Sequence, residues 1–251
     1  MATTLIFGGS GKVARHITRI LSSEGGIVHS IIRKEEQKPD IISLGGKPIV
    51  QSIEDSSVED LIQTIQSTKP STVIWAAGAG AGNPDRTQKV DHEGAVKAAD
   101  ATAKSGVTKR YIIISAVDVR DRERKPEPEW YNDEDRDRSN KVWGAIGPYM
   151  HAKFAADRDL VTKNGERKLE YTIVRPGGLS EDAGTGKIAA GKVHLNRTIP
   201  REDVARAVVE CIKNDATKGL AFDLVGGDEW SVQDAVANVA RERVDTFEGR
   251  Y

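Results

Sequence analysis

Two hydrophobic periods alternate along this chain from end to end, and that alternation leaves few folds open to it. Short apolar runs read as strands at Thr3–Phe7, Ile27–Ile32, Pro48–Val50, Thr72–Ala77, Arg110–Ser115, Leu169–Val174 and Ala221–Val225. Between them stand stretches with helical spacing, from Lys12 to about Ser23 and at Ser57–Ser67, Val90–Ser105, Tyr149–Lys163, Asp203–Lys213 and Val232–Arg243. Within Ser57–Ser67, for instance, Val58, Leu61, Ile62 and Ile65 fall on one face. Tyr111-Ile112-Ile113-Ile114 is apolar without alternation, as a strand covered on both faces must be. Strands separated by helices of ten or more residues predict parallel pairing through right-handed crossovers. The expected fold is α/β: one doubly wound parallel sheet of about seven strands, with helices on both faces.

Nothing interrupts the alternation as a domain boundary would, so residues 1–251 are read as one domain. One stretch stands apart. Residues 118–148 carry nine acidic and seven basic side chains, with Pro126, Pro128 and Pro148, and show no usable apolar period. Such a run reads either as a solvated surface insertion or as a lid or wall over a ligand site. Its aromatic residues, Trp130, Tyr131 and Trp143, need the domain or a ligand to pack against.

Charge excludes some partners. Lys and Arg number 37 against 38 Asp and Glu, a net charge of −1, so no basic excess points to nucleic acid or a membrane surface. No stretch reaches the roughly 18 apolar residues that span a bilayer. The one cysteine, Cys211, sits in an apolar helical stretch and reads as core. No histidine stands at metal-ligand spacing from another or from Cys211. These features predict a cytoplasmic protein with a small-molecule substrate, no nucleic acid or membrane partner and no metal, as a monomer or a homodimer.

The chemistry gathers after the first strand. Gly8-Gly9-Ser10-Gly11-Lys12-Val13-Ala14 ends that strand and opens the first helix, with small residues Gly8, Gly11 and Ala14 three apart. Small side chains there permit a tight turn, close approach of backbone to a pyrophosphate and close packing of helix on strand. The free amides and positive end of the helix then face the phosphates. A glycine string alone is weak evidence; following a strand and opening a strand–helix–strand unit, it points to a dinucleotide in a Rossmann-type sheet. Gly8, Ser10, Gly11, Lys12 and Val13 are the expected contacts. At the end of the second strand, an acid would hold a ribose 2′-hydroxyl and select NAD, whereas an arginine accommodates the 2′-phosphate of NADP. Here Arg33, 22 positions after Gly11, is followed by Lys34, so the expected cofactor is NADP rather than NAD. The loop Ala76-Ala77-Gly78 and onward to Gly82 follows the fourth strand, where ligands of open α/β sheets bind, and its small residues would let adenosine or ribose approach the backbone.

Together these segments resemble the short-chain dehydrogenase/reductase superfamily, and more closely its atypical branch, whose Gly-x-x-Gly-x-x-Ala spacing Gly8, Gly11 and Ala14 reproduce. Four further segments match: Tyr111 to Ala116 with its terminal Ser115, Tyr149-x-x-x-Lys153, Tyr171 to Leu179, and Arg201-Glu202-Asp203-Val204-Ala205. The resemblance covers nearly the whole chain and departs at residues 118–148. It implies that Tyr149 is the general acid/base, that Lys153 lowers its pKa and binds the nicotinamide ribose, and that Ser115 holds the substrate oxygen. It also places Pro176, Gly177, Gly178 and Leu179 against the nicotinamide. Tyr149 and Lys153, four apart, share a helix face. The interval from Ser115 to Tyr149 is 34 residues, longer than in the main branch, and Pro148 puts Tyr149 in a first helical turn.

The leading expectation is hydride transfer between NADPH and a small organic acceptor. Two alternatives stay open: a non-catalytic NADP-sensing regulator that uses the charged insertion as an interaction surface, and an NAD(P)-dependent isomerase or epimerase. Asp91 reads as a simple helix-start charge. Residues 181–196, with Gly184, Gly186 and Gly191, read as a mobile loop on the substrate side.

Overall fold

A computed structural model describes residues 2–80 and 83–251; the Ala81-Gly82 end of the loop after the fourth strand lies outside the described residues. The strands are β1 (Thr3–Phe7), β2 (Ile27–Ile32), β3 (Lys47–Val50), β4 (Thr72–Trp75), β5 (Arg110–Ile114), β6 (Glu170–Pro176), β7 (Leu179–Ser180), β8 (Lys187–Gly191), β9 (Ile199–Pro200), β10 (Leu220–Gly226) and β11 (Trp230–Ser231). The helices are α1 (Lys12–Ser23), α2 (Lys38–Ser43), α3 (Val58–Thr68), α4 (Pro84–Thr87), α5 (Ala95–Lys104), α6 (Asp133–Thr162), α7 (Asn164–Arg167), α8 (Arg201–Lys213) and α9 (Val232–Glu242).

One nine-stranded sheet runs in the order β11-β8-β10-β6-β5-β4-β1-β2-β3. Its seven strands from β3 to β10 are parallel and are the seven read from the sequence. The strand order reverses between β1 and β4, which makes their carboxyl ends the switch point where a crevice opens. Side-chain parity divides the core into two layers. Ile6, Ile112 and Ile114 face α1, α8 and α9 through Ile17, Val204 and Val236. Leu5, Phe7, Tyr111 and Ile113 face α3, α5 and α6 through Leu61, Ala98 and Ala156. A one-residue slip of any strand would exchange its two layers, so continuous apolar strands still specify register through side-chain shape.

The structure corrects the sequence reading in three places. The sheet has nine strands rather than about seven, and the extra two are antiparallel: β8 pairs with β10, and β11 with β8. The glycines of residues 181–196 suggest a mobile loop from sequence, yet two of them bracket a strand: Gly186 and Gly191 take positive φ of 73° and 100° at its two ends while Ile188 is fully buried. The second correction is α6. It begins at Asp133, not Tyr149, and more than a dozen residues of the charged insertion are therefore helical. Asn132 and Asp135 close a reciprocal capping box at its start, and the acids Asp133, Glu134 and Asp135 suit the positive end of the helix. Helical geometry breaks at Ile146 (φ −130°, ψ 32°), so Pro148 does stand in the first turn of the second segment. The third is the helix expected at Val90–Ser105, which starts earlier, at Pro84, and passes through a π-helical segment at Gln88–Gly94 before α5.

Candidate functional site

A cleft of about 590 Å³ opens at the carboxyl ends of β1, β4, β5 and β6. Its inner end is the turn after β1. Gly8 has φ +79°, and a Cβ there would lie 2.5 Å from Ala77 Cα, so only glycine lets the turn press against the β4 loop. Gly11 N–H donates to Gly8 O at 2.9 Å, and Gly11 then caps α1 with no side-chain acceptor and no acid in the first turn. The first-turn amides are thus left for an anion. That arrangement, at the switch point, fits the pyrophosphate of a dinucleotide.

Of the sequence-predicted cofactor residues, Gly11, Lys12, Val13, Ala76, Ala77, Gly78, Lys153, Pro176, Gly177, Gly178 and Leu179 line the cleft together. Gly8 shapes the turn beneath it, and Ser10 lies beside it without lining it. Arg33 and Lys34 are exposed beyond its rim at the end of β2. Arg33 Nη1 stands 3.8 Å from Glu54 Oε1, and Arg86 Nε reaches the same oxygen at 3.0 Å. Two guanidiniums therefore share one carboxylate, leaving a net positive charge on this cluster. Lys12 and Arg201 both reach Glu181 Oε1, at 2.6 and 2.9 Å.

The three candidate catalytic residues also meet in this cleft. Tyr149 and Lys153 project from the second segment of α6, and Ser115 follows β5. Lys153 Nζ lies 5.8 Å from the Tyr149 ring centroid, donates to Ile114 O at 3.0 Å and stands 3.4 Å from Asp91 Oδ1. Burial alone would lower the Lys153 pKa, but Tyr149, Asp91 and Asp157 outweigh it and raise it, so the side chain is an ammonium. Asp91 is fully buried and also accepts the Ala79 N–H at 2.9 Å. It is no simple helix-start charge: it fixes Lys153 and the β4 loop at once.

Two expectations about the chemistry change. Burial raises the Tyr149 phenol above its ordinary value; Lys153 opposes this, and Asp91 and Asp157 add to it. The net direction is opposite to the lowering that the resemblance implies, because burial of the phenol outweighs the Lys153 ammonium, with Asp91 and Asp157 adding to burial. Ser115 Oγ donates to Asp157 Oδ2 at 2.5 Å, so its proton points away from the cleft and the hydroxyl meets a ligand as an acceptor. Burial pushes Asp157 up to about 6, against Arg175, Ser115 and Lys153.

Sequence reasoning missed Asp91, Asp157 and Arg175. Each carried a signal. Asp91 stands one turn before buried Ala95 and two before buried Ala98, a carboxylate in a core stripe. Asp157 continues the four-residue spacing of Tyr149 and Lys153. Arg175, 2% exposed, ends the most apolar part of β6; it donates to Val119 O and Thr246 Oγ1 and pairs with Asp223 at 3.3 Å, holding the segment after β5 in place.

The charged insertion forms the outer wall. Asp118 takes φ +62°; its carboxylate bonds Arg120 Nε, Ser139 Oγ and Trp143 Nε1, tying the β5 loop to the first segment of α6. Asp135 accepts the Leu195 N–H at 2.7 Å and binds His194 at 2.6 Å, tying the same helix to the segment after β8. Trp143 and Tyr131 are buried against the domain rather than kept for a ligand.

Comparison with known proteins matches residues 8–215 to the NAD(P)H-binding family. A UPF0659 protein of Schizosaccharomyces pombe is 38% identical over 229 residues, covering 91% of each chain. The uncharacterized sugar epimerase YhfK of Bacillus subtilis is 31% identical over 225 residues, covering 89% of this chain and 94% of its own. Among solved structures, the oxidoreductase ylbE of Lactococcus lactis superposes with a TM-score of 0.78 at 25% identity, covering 95% of this chain and 97% of that one.

Proposed function

The chain belongs to the NAD(P)H-binding family, and from that premise we propose that it is an NADPH-dependent reductase of a small, apolar organic acceptor. The observation that carries this reading is the position of Tyr149. The cleft that begins at the bare N-terminus of α1 ends on a half-buried phenol that stays protonated at neutral pH, as a proton donor must. When bound, the nicotinamide supplies the hydride. Tyr149 supplies the proton to the acceptor atom left electron-rich. Lys153, held by Ile114 O and Asp91, would hold the nicotinamide ribose. Pro176 to Leu179 would back the ring, and Lys12 and Val13 would meet the pyrophosphate. The outer half of the cleft presents Val142, Ile146, Met150, Leu179 and Leu195, a poor surface for the hydroxyls of a sugar, which supports reduction over sugar epimerisation. The setting is the cytoplasm, in keeping with one buried, unpaired cysteine.

The NADP preference rests on Arg33 and is testable by itself. Nicotinamide fluorescence titrations of wild type and Arg33→Glu should show NADPH binding weakened more than about tenfold by the substitution, the scale of losing a charge-assisted hydrogen bond, with NADH little affected. Equal losses for both nucleotides would assign Arg33 a structural role and remove the basis for NADP.

A further inference from the structure

Six charged residues line the cleft, and five have ionic partners within the protein. Lys12 and Arg201 hold Glu181, Lys153 pairs with Asp91, and Asp118 pairs with Arg120 at 2.9 Å. Arg138 is the exception. It is exposed, and among the described residues no carboxylate lies within ion-pair distance of it. Glu134, one turn earlier on the same helix, does not reach it.

Its neighbours on the helix are equally unusual. Val142 follows at a four-residue step, on the same face of the first α6 segment, and Ile146, at the break in the helix, lines the same cleft. They are 36% and 44% exposed, and Leu179 across the cleft is 38% exposed. Three of the six large apolar side chains exposed among the described residues thus gather at one mouth, above buried Met150 and Leu195. Apolar surface concentrated in a concave site marks a binding surface, and a lone polar group within it fixes ligand orientation.

From this juxtaposition we propose that Arg138 is the specificity-determining anchor for a carboxylate on an otherwise apolar acceptor, whose body lies along Val142, Ile146 and Leu179 with its reducible end at Tyr149. This rests on the reductase reading and narrows its substrate class. A guanidinium pairs with one carboxylate through two parallel hydrogen bonds. One unpaired cation suits a single anionic group. The diphosphate of a sugar nucleotide would call for more, and the surplus charge that Lys12 and Arg201 leave on Glu181 belongs to the α1 end of the cleft, where the dinucleotide pyrophosphate is expected.

The test is a binding measurement that needs no turnover. Calorimetry with NADPH-saturated protein would compare 2-naphthoate with its neutral counterpart 2-naphthalenemethanol, on wild type, Arg138→Gln and Arg138→Lys. The wild type is expected to favour the carboxylate by about tenfold or more, the scale of a hydrogen bond to a charged group. Arg138→Gln should abolish that preference without changing affinity for the alcohol or for NADPH, and Arg138→Lys should keep part of it. Absence of a preference in wild type, or a preference that survives Arg138→Gln, overturns the proposal. The NADPH titration is read first, and if it fails the comparison is made on the free protein, so loss of the reductase reading and loss of the anchor are separate results.

Discussion

Tyr149→Phe is expected to lower NADPH-dependent reduction by roughly 10²- to 10⁴-fold, the usual contribution of a positioned general acid. NADPH affinity should stay within about twofold, because the ring is kept and only the hydroxyl is lost. The pH dependence adds a second readout. Burial with the nearby Asp91 and Asp157 holds the phenol above its ordinary value in spite of Lys153. The donor is the protonated form, present below that raised pKa. Reduction by the wild type should therefore be flat through neutral pH and fall only in the alkaline range, and Tyr149→Phe should lose that alkaline limb. The reverse reaction needs the phenolate and should be slow at neutral pH for the same reason. Turnover of Tyr149→Phe within a few-fold of wild type would move the proton donor elsewhere.

Lys153→Met is expected to be the most destabilising conservative change in the site. Lys153 and Asp91 are both buried, at 3% and 1% exposure, and each is the other's counter-charge. Removing one member of a buried pair strands the other, at a cost of about 3–5 kcal/mol. Asp91→Asn in the Lys153→Met background removes the stranded charge and should restore most of that loss in urea denaturation, a non-additivity that independent sites would not show. The double variant should still bind NADPH more weakly than wild type, since the ribose contact is not restored. A loss under about 1 kcal/mol for Lys153→Met alone would mean that Asp91 finds compensation elsewhere and that the pair does not organise the site.

Much of this was legible in the sequence, for reasons that can be named. Strands β1, β5 and β6 announced themselves because a sheet covered on both faces needs unbroken apolar runs. The turn after β1 did so because a positive φ and a 2.5 Å approach to Ala77 admit only glycine at position 8. The fold class and the nicotinamide family follow from those local demands. Less visible was whatever depends on long-range partners. β8 is a strand through pairing with β10, which its own glycine-flanked residues cannot reveal. The first segment of α6 is charged on most faces, and it is fixed by a cap, by Asp118 of the β5 loop bonding Ser139, and by Asp135 bonding Leu195. The direction of the Tyr149 shift depends first on how deeply the fold buries the phenol, and then on Asp91, which lies 58 positions away. Pairwise reasoning on Tyr149 and Lys153 contains neither that burial nor the two nearby carboxylates. The charged run of residues 118–148 allows either a solvated insertion or a wall over a ligand site from sequence alone, and the contacts of Asp118 and Asp135 that make it a wall are long-range.

A crystal structure of the NADP⁺ complex would measure directly where the nicotinamide lies. The pyrophosphate should rest on the amides of Lys12 and Val13, the ribose on Lys153, and the nicotinamide between Pro176 to Leu179 and Tyr149, with C4 toward Val142 and Ile146. A dinucleotide bound with its nicotinamide turned out of the cleft, or bound elsewhere on the molecule, would contradict the account.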